Sequence, residues 1–488
     1  MVLQAAFTLL SRVVPSGYYY HIAVSLTVVI ITYAFAQGRR TNRERDLHAR
    51  TILVTGAFSP VGLTTLSNLA SRGAHIIALS PYPLEHPAVT LLIPALREET
   101  KNEHIFVEHA DLASPASIRE FCTKFLTGDE QRLDAVVFAH EYDSIGSVVS
   151  SKKDLRETRE AASLATFLMT TLLLPALLVA PVERDIRIVN FVNPFYAAAT
   201  PAFTSELLST MSPDAASTSP TSRSVLLAEG HRALRTVVFA RHLQRILNAL
   251  PNRAPTLDSR IPGDEVPTKD ESVPASSPSD APREKKNELK LPSNIVAVTV
   301  CPGVSRTETI RALLGLESEG SSVFVLLLYL ALYPLVWIFA KSPDMAVQTV
   351  LHALFLPSPF KRALAQLSVA TDPSAAENST IAELSTVTEV LKPGALYREC
   401  SVVPLKIAPL PDPPQTEGDA EKPQAKEKKK DAKGKAKAKE AEAEMNIEIE
   451  DDGEYGGEGV GRVVWEWYER GLKTWEAEAK SDGEKPAS

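Results

Sequence analysis

An α/β fold, one parallel sheet wound on both faces by helices, is what this chain of 488 residues predicts. Three observations carry it. Residues 51–62 read Thr-Ile-Leu-Val-Thr-Gly-Ala-Phe-Ser-Pro-Val-Gly: an apolar strand, a glycine turn and a helix start. Downstream, short β-rich runs alternate with longer helical patterns, as in βαβ units. A hydrophobic content of 44% leaves enough apolar surface for a sizeable core once the polar tracts are set aside. Length alone allows two or three domains, but much of the chain reads as unable to fold, so one globular domain with extra segments is predicted.

Residues 1–45 read as a membrane anchor with a basic flank. Tyr18–Ala36 is almost continuously apolar, and a helix needs about 20 such residues to cross a bilayer. Tyr18, Tyr19 and Tyr20 stand where an aromatic belt belongs. Arg39, Arg40, Arg43, Arg45 and Arg50 follow the segment, and only Arg12 precedes it. This excess predicts that everything after residue 37 faces the cytosol. The rival is a cleaved signal peptide ending at Ala34-Phe35-Ala36; the late start, the missing basic leader and the length favour the anchor.

Residues 46–405 are read as the globular domain. Thr51–Thr55 is a strand and Pro60–Arg72 a helix; His75–Leu79 and His104–Ala110 are strands. Ser114 caps a helix, Ser114–Leu126, with Pro115 at its first position. Asp134–Phe138 is a strand, Asp154–Leu178 a long helix, Ile186–Val192 a strand, Leu226–Leu250 a helix and Ile295–Val300 a strand. Ser342–Phe355 closes the core as a helix. Two insertions, about 209–223 and 251–293, are rich in Ser, Thr, Pro or charge and bury too little apolar surface to fold, which predicts disorder. Val323–Ala340 is apolar but broken by Pro334; a full crossing would split one fold across a membrane. It reads either as a buried helix or, preferred here, as an apolar lid dipping into the bilayer.

Residues 406–488 form a charged low-complexity tail with a Lys/Ala/Glu run (Lys422–Glu444) and an acidic patch (Glu448–Glu454). Within 460–476, Val460, Val464, Trp467 and Trp475 share a helical face, which predicts docking onto the same chain's core in preference to a partner-binding helix. A net charge of −8 speaks against a nucleic-acid surface. The three cysteines, Cys122, Cys301 and Cys400, lie far apart with no metal-ligand spacing, so no metal site is predicted, and their sparseness suits a reducing compartment.

The chemistry-bearing motifs follow in order. A glycine turn between strand and helix, here with Thr55, Gly56 and Gly62, lets a backbone approach a pyrophosphate seated on the helix N-terminus. Asp111-Leu112 follows a strand and precedes a capped helix. Phe138-Ala139-His140-Glu141 ends the next strand, and Val300-Cys301-Pro302-Gly303 leads to Thr307. Ser342–Thr349 reads SPDMAVQT. Together these pieces resemble the short-chain dehydrogenase/reductase superfamily, most closely its membrane-associated, retinol-dehydrogenase-like branch, over about residues 50–405 outside the two insertions. The resemblance implies a Rossmann-like sheet that binds NAD or NADP. Thr55, Gly56, Ser59 and Gly62 would serve the phosphates, with Pro60 standing where the family has its middle glycine. Asp111 and Leu112 would lie by the adenine, Ala139 along the cofactor, and Pro302, Gly303 and Thr307 on the nicotinamide side. Leu79-Ser80-Pro81 makes no choice between the two nucleotides.

The family's proton-transfer pair, Tyr-x-x-x-Lys, is missing: none of the twelve tyrosines has a lysine four residues later. Its position falls on Leu227 or Ala228 for the tyrosine and on His231 or Arg232 for the lysine. Asn193 stands where the family has a serine. Tyr196 and His140 are candidate substitute acids, each weighed against a packing role. Three readings result. The favoured one is a membrane-anchored, nucleotide-binding scaffold or sensor without standard catalysis. The second is an active NAD(P)-dependent oxidoreductase on a lipid-like alcohol or ketone, and the third a membrane adaptor with an empty cofactor pocket. The expected partners are a bilayer or lipid-droplet surface and proteins recruited by the tail. The expected location is the cytosolic face of the endoplasmic reticulum, a lipid droplet or the mitochondrial outer membrane. Asn378-Ser379-Thr380 is a glycosylation sequon and hence a topology reporter.

Overall fold

The computed structural model describes residues 18–128, 132–148, 153–181, 184–211, 224–250, 291–316, 323–371, 379–411, 449 and 451–483. Most of both insertions (212–223 and 251–290), the Lys422–Glu444 run, Glu448 and Asn378 lie outside the described residues. In chain order the elements begin with α1 (Tyr19–Gln37), β1 (Thr51–Thr55), α2 (Pro60–Ala70), β2 (His75–Ser80), α3 (Pro87–Thr100), β3 (Ile105–His109) and α4 (Pro115–Thr127). Then come β4 (Ala135–Phe138), α5 (His140–Asp143), α6 (Lys153–Val179), β5 (Ile186–Phe191), α7 (Tyr196–Ala199), α8 (Phe203–Met211) and α9 (Val225–Ala249). The remainder is β6 (Ile295–Cys301), α10 (Thr309–Leu314), α11 (Val323–Phe339), α12 (Pro343–Phe355), α13 (Pro359–Thr371), α14 (Ser379–Thr386), β7 (Leu396–Arg398), β8 (Ser401–Val402) and α15 (Gly457–Gly483).

The sheet runs β3-β2-β1-β4-β5-β6-β7-β8, parallel throughout except for the edge strand β8. The expected doubly wound α/β fold is present. β1, β4, β5 and β6 are buried along their whole length, because helices cover both faces and no strand residue is left to face water. On one face Phe121 of α4, Phe167 of α6, Phe239 of α9 and Val464 of α15 share a cluster. On the other, Leu66 of α2, Ile93 of α3 and Val350 of α12 share a second. Strand order reverses between β1 and β4, which opens the ligand crevice of such sheets beyond the carboxyl ends of the strands. Pairing of Thr55 with Phe138 sets the glycine turn beside Ala139 and His140 there.

The structure adds elements that the pattern hides. α3 carries Pro94 inside it and starts at Pro87, capped by the His86 side chain accepting from the Ala88 amide at 3.2 Å. The core does not close at Phe355, because β7 extends the sheet to a seventh parallel strand. Ser209–Met211, expected to be disordered, completes α8. At the C-terminus, Val460, Val464 and Tyr468 are buried, Tyr468 stacks on Phe167 with ring centres 5.2 Å apart, and Arg235 lies 3.9 Å over the Trp467 ring. The globular layer thus takes in α15 as well as residues 46–405.

α1 is long and apolar enough to cross a membrane, and α11 is a shorter apolar helix. Both expose their side chains; in α11 only Val325 is buried, so this helix is no part of the core. They meet near their C-terminal ends. Tyr33 stacks on Trp337 at 4.8 Å, Gln37 Nε2 donates to the Ala340 carbonyl (3.2 Å), and the Ser342 amide donates to Gln37 Oε1 (3.1 Å).

Candidate functional site

The glycine turn is built as its sequence requires. Gly56 adopts φ +63°, and a Cβ there would lie 2.6 Å from the His140 amide nitrogen. A Cβ on Gly62 would lie 2.1 Å from the Gly56 carbonyl oxygen. Ser59 is the N-cap of α2, its Oγ accepting from the Gly62 amide at 3.0 Å. Pro60 has no amide hydrogen to give. The Val61 amide donates to the carboxylate of Glu308 (Oε1, 2.5 Å), a residue with no exposed surface. Glu308 also receives the hydroxyls of Thr307 (2.7 Å) and Ser305. The first-turn donors of α2 are therefore all engaged within the chain, and a dinucleotide pyrophosphate does not fit on this helix terminus as it stands.

Glu308 directly follows the Pro302–Thr307 turn, as the N-cap of α10. Gly303, at φ +101°, gives its carbonyl to the buried Tyr142 hydroxyl (2.9 Å), which in turn accepts from the Ser305 amide (3.2 Å). Tyr142 thereby links α5 to this loop, and burial raises its phenol pKa. Asp111 sits at the end of β3, half-buried, its carboxylate accepting from the Ala113 amide (2.9 Å); Leu112 packs onto the core beside it. Ala139 is buried, its amide donating to the Thr55 carbonyl (3.3 Å).

His140 lies in the first turn of α5 and is buried. Its Nε2 is 2.9 Å from the Ala162 carbonyl, which can only accept, so Nε2 carries the proton. Nδ1 then accepts from the Thr55 hydroxyl at 2.7 Å. Burial lowers its pKa, so the ring is neutral. Next to it, the buried Glu141 carboxylate receives the hydroxyls of Thr166 (2.5 Å), Thr236 (3.0 Å) and Ser163 (3.3 Å).

At the start of α9, Arg232 binds Glu229 through Nε (3.0 Å) and Nη2 (2.7 Å) and the Ser144 carbonyl through Nη2 (2.7 Å). Arg159 closes on the other oxygen of Glu229 at 2.8 Å. Arg232 is buried, which works against its charge, but Glu229 and Glu141 outweigh that and its pKa is raised. Asn193 is buried with both ends of its amide committed, Nδ2 to the Glu229 carbonyl (3.0 Å) and Oδ1 to the Phe195 amide (3.1 Å). His140, Glu141, Asn193 and Arg232 are thus brought together through one hydrogen-bonded set.

His231 and Tyr196 take no part in that set. His231 Nε2 lies 2.8 Å from a Glu206 carboxylate oxygen, with its ring stacked on Phe203. Tyr196, at the start of α7, is buried in the core, its phenol beside the Arg398 guanidinium and its pKa raised by burial. Glu141, Glu229, Arg159 and Glu308 were not singled out from sequence. Glu229, three residues before Arg232 on one helix, carried a readable signal; Glu308, adjoining Thr307, carried none.

No family model matches the chain. It is similar to an uncharacterized oxidoreductase of Saccharomyces cerevisiae, 28% identical over 346 residues that cover 66% of this chain and 72% of that one. Human dehydrogenase/reductase SDR family member 13 is 33% identical over 156 residues, 30% of this chain and 38% of the relative. Human retinol dehydrogenase 13 is 34% identical over 103 residues, 21% of this chain and 30% of the relative.

Proposed function

Because this chain belongs to the short-chain dehydrogenase/reductase superfamily, we propose that it is a membrane-associated, retinol-dehydrogenase-like member that serves as a nucleotide-responsive scaffold without carbonyl reduction. One observation carries the reading. Where the family resemblance calls for a tyrosine and a lysine, α9 presents Leu227 or Ala228 and His231 or Arg232, and Arg232 is locked to Glu229, Ser144 and the Glu141 backbone, with Arg159 closing on Glu229, in a buried network. A reduction needs a titratable donor within about 3 Å of the substrate oxygen. Arg232 keeps its proton, His140 is neutral with both nitrogens engaged, and the Tyr196 phenol is committed to the core. A nicotinamide nucleotide, when bound, supplies a hydride; nothing in this network supplies the matching proton. Thr55, Gly56, Asp111, Pro302, Gly303 and Thr307 are the residues that would border such a nucleotide.

The exposed pair α1 and α11 supports membrane association, and the arginines after α1 support a cytosolic domain. An unmodified Asn378 in the natural host is the expected result, and glycan there would reverse the topology. The functional test is turnover of the full chain in detergent micelles with NADH and NADPH against retinal, a steroid ketone and a long-chain ketone. Losing the general acid costs about 10² to 10⁴ in rate, so no turnover above background is expected. Robust nucleotide-dependent reduction would overturn the reading and favour an active oxidoreductase; Tyr196→Phe and His140→Ala would then identify its acid.

A further inference from the structure

We propose that Glu308 is an internal anion that holds the phosphate position of the nucleotide site, so that a dinucleotide binds only when this carboxylate withdraws. The inference rests on the nucleotide-responsive reading above and deepens it. The N-terminus of a helix after a glycine turn attracts an anion because its first amides point outward unpaired and its dipole is positive there. Here the anion is already supplied by the chain. The Glu308 carboxylate accepts from the Val61 amide at 2.5 Å and from the hydroxyls of Thr307 and Ser305, and it is fully buried. Lys341, bridged to the same loop, pairs instead with Glu399, and the contacts that hold the Glu308 carboxylate are the helix-terminus amide and the two hydroxyls. A carboxylate and a phosphate cannot share the Val61 amide, and two anions in a dry cleft repel each other.

The same loop is braced from the membrane side. Its Val304 carbonyl accepts from the Lys341 amide (2.9 Å) and its Arg306 amide donates to the Lys341 carbonyl (3.1 Å). Lys341 follows two residues after the end of α11, and Gln37 of α1 clasps the residues on either side of it, Ala340 and Ser342. A displacement of the two apolar helices is thereby passed to Ser305–Glu308 through backbone hydrogen bonds. Nucleotide affinity and the seating of those helices are coupled through this connection.

The test is binding, not turnover. The full chain in detergent micelles is titrated with NADH and NADPH by calorimetry, as wild type, Glu308→Gln and Glu308→Ala. The glutamine keeps the shape of the side chain and removes its charge, and the alanine clears the position. Hydrogen exchange at Val61 serves as a readout that needs no nucleotide. Dinucleotide affinity about ten- to a hundredfold higher in Glu308→Gln, the range that a charge-assisted hydrogen bond spans, is expected. Faster exchange of the Val61 amide in Glu308→Ala is expected with it. Equal, measurable affinity in wild type and both variants overturns the role of Glu308 and leaves the nucleotide site standing. No binding by any of the three, with Val61 exchange confirming that the cap was opened, overturns the nucleotide site itself and this inference with it.

Discussion

The glycine turn at the end of β1 and the polar cluster at the start of α9 both abut α5, through His140 and Glu141, yet they keep different things. The turn keeps backbone geometry: Gly56 and Gly62 stand where a Cβ would collide with the His140 backbone or the Gly56 carbonyl. The cluster keeps no family side chain at the tyrosine and lysine positions and fills the space with Glu229, Arg232 and Arg159. The difference teaches that the fold protects its glycines whether or not a nucleotide is bound. Their presence is a statement about packing; the amides around them are the statement about binding, and Glu308 has taken the one at Val61.

The largest expected effect would break the cluster. Arg232→Met leaves Glu229 and Glu141 buried without their nearest cation. Removing one partner of a buried pair costs about 3–5 kcal/mol. A fall of that size in unfolding free energy, read from denaturant melts of the full chain in micelles, is expected. A variant within about 0.5 kcal/mol of wild type, as for an ordinary surface change, would mean that the cluster is solvated and open to a substrate.

Next in size is the turn. Gly56→Ala must hold a side chain at φ +63° with its Cβ against the His140 amide. Overpacking and left-handed strain together cost about 2–3 kcal/mol. The loss should be the same with and without NADPH, because it arises from the fold. A variant of unchanged stability that loses only nucleotide affinity would show instead that the glycine serves the ligand.

Smaller again is a pH effect centred on His140. Its folded-state pKa is lowered, chiefly by burial. The ring stays neutral in the folded chain, facing Thr55, Thr166, Glu141 and Arg232. In the unfolded chain it takes up a proton below about pH 6.5. The unfolded state then binds more protons, so stability present above that pH is lost as pH falls, by about 1.4 kcal/mol per unit for each such group. His140→Asn should flatten the melting profile between pH 6.5 and 5. An unchanged slope would mean that His140 is charged in the folded chain and available as an acid after all.

Most of the sheet was legible because its strands are apolar runs with β-branched residues, ended by Gly, Pro or Asp. β7, three residues long, is too short to show a period, and α3 was masked by its prolines. Hydropathy alone does not separate α6 from α11: both are strongly apolar, but α6 lies under α4 and α9 while α11 stands exposed. What decides between them is which neighbours the sheet places alongside, a long-range fact. At the site, residues fixed by backbone geometry, such as Gly56 and Gly303, were readable from their motifs. Glu141 and Glu308 were not, because their roles depend on partners 22 to 247 positions away; Glu229 was readable only through its three-residue spacing to Arg232.

The smallest expected effect is none at all. Ala228→Tyr with Arg232→Lys restores the four-residue spacing of the missing pair. A lysine at 232 inherits Glu229 as its neighbour, on the same helix face and already within ion-pair distance of the present side chain. It would pair there as a point charge, without the planar fork that now also reaches the Ser144 and Glu141 carbonyls. A lysine so engaged does not depress the pKa of a phenol one turn away, and the Asn193 amide is buried and held by the Glu229 carbonyl and the Phe195 amide. NADH and NADPH oxidation by this double variant with retinal or a long-chain ketone should stay at background. Measurable turnover would collapse the distinction between the two regions, because a crevice that regains catalysis from two side chains has kept its reaction geometry and lost only its reagents.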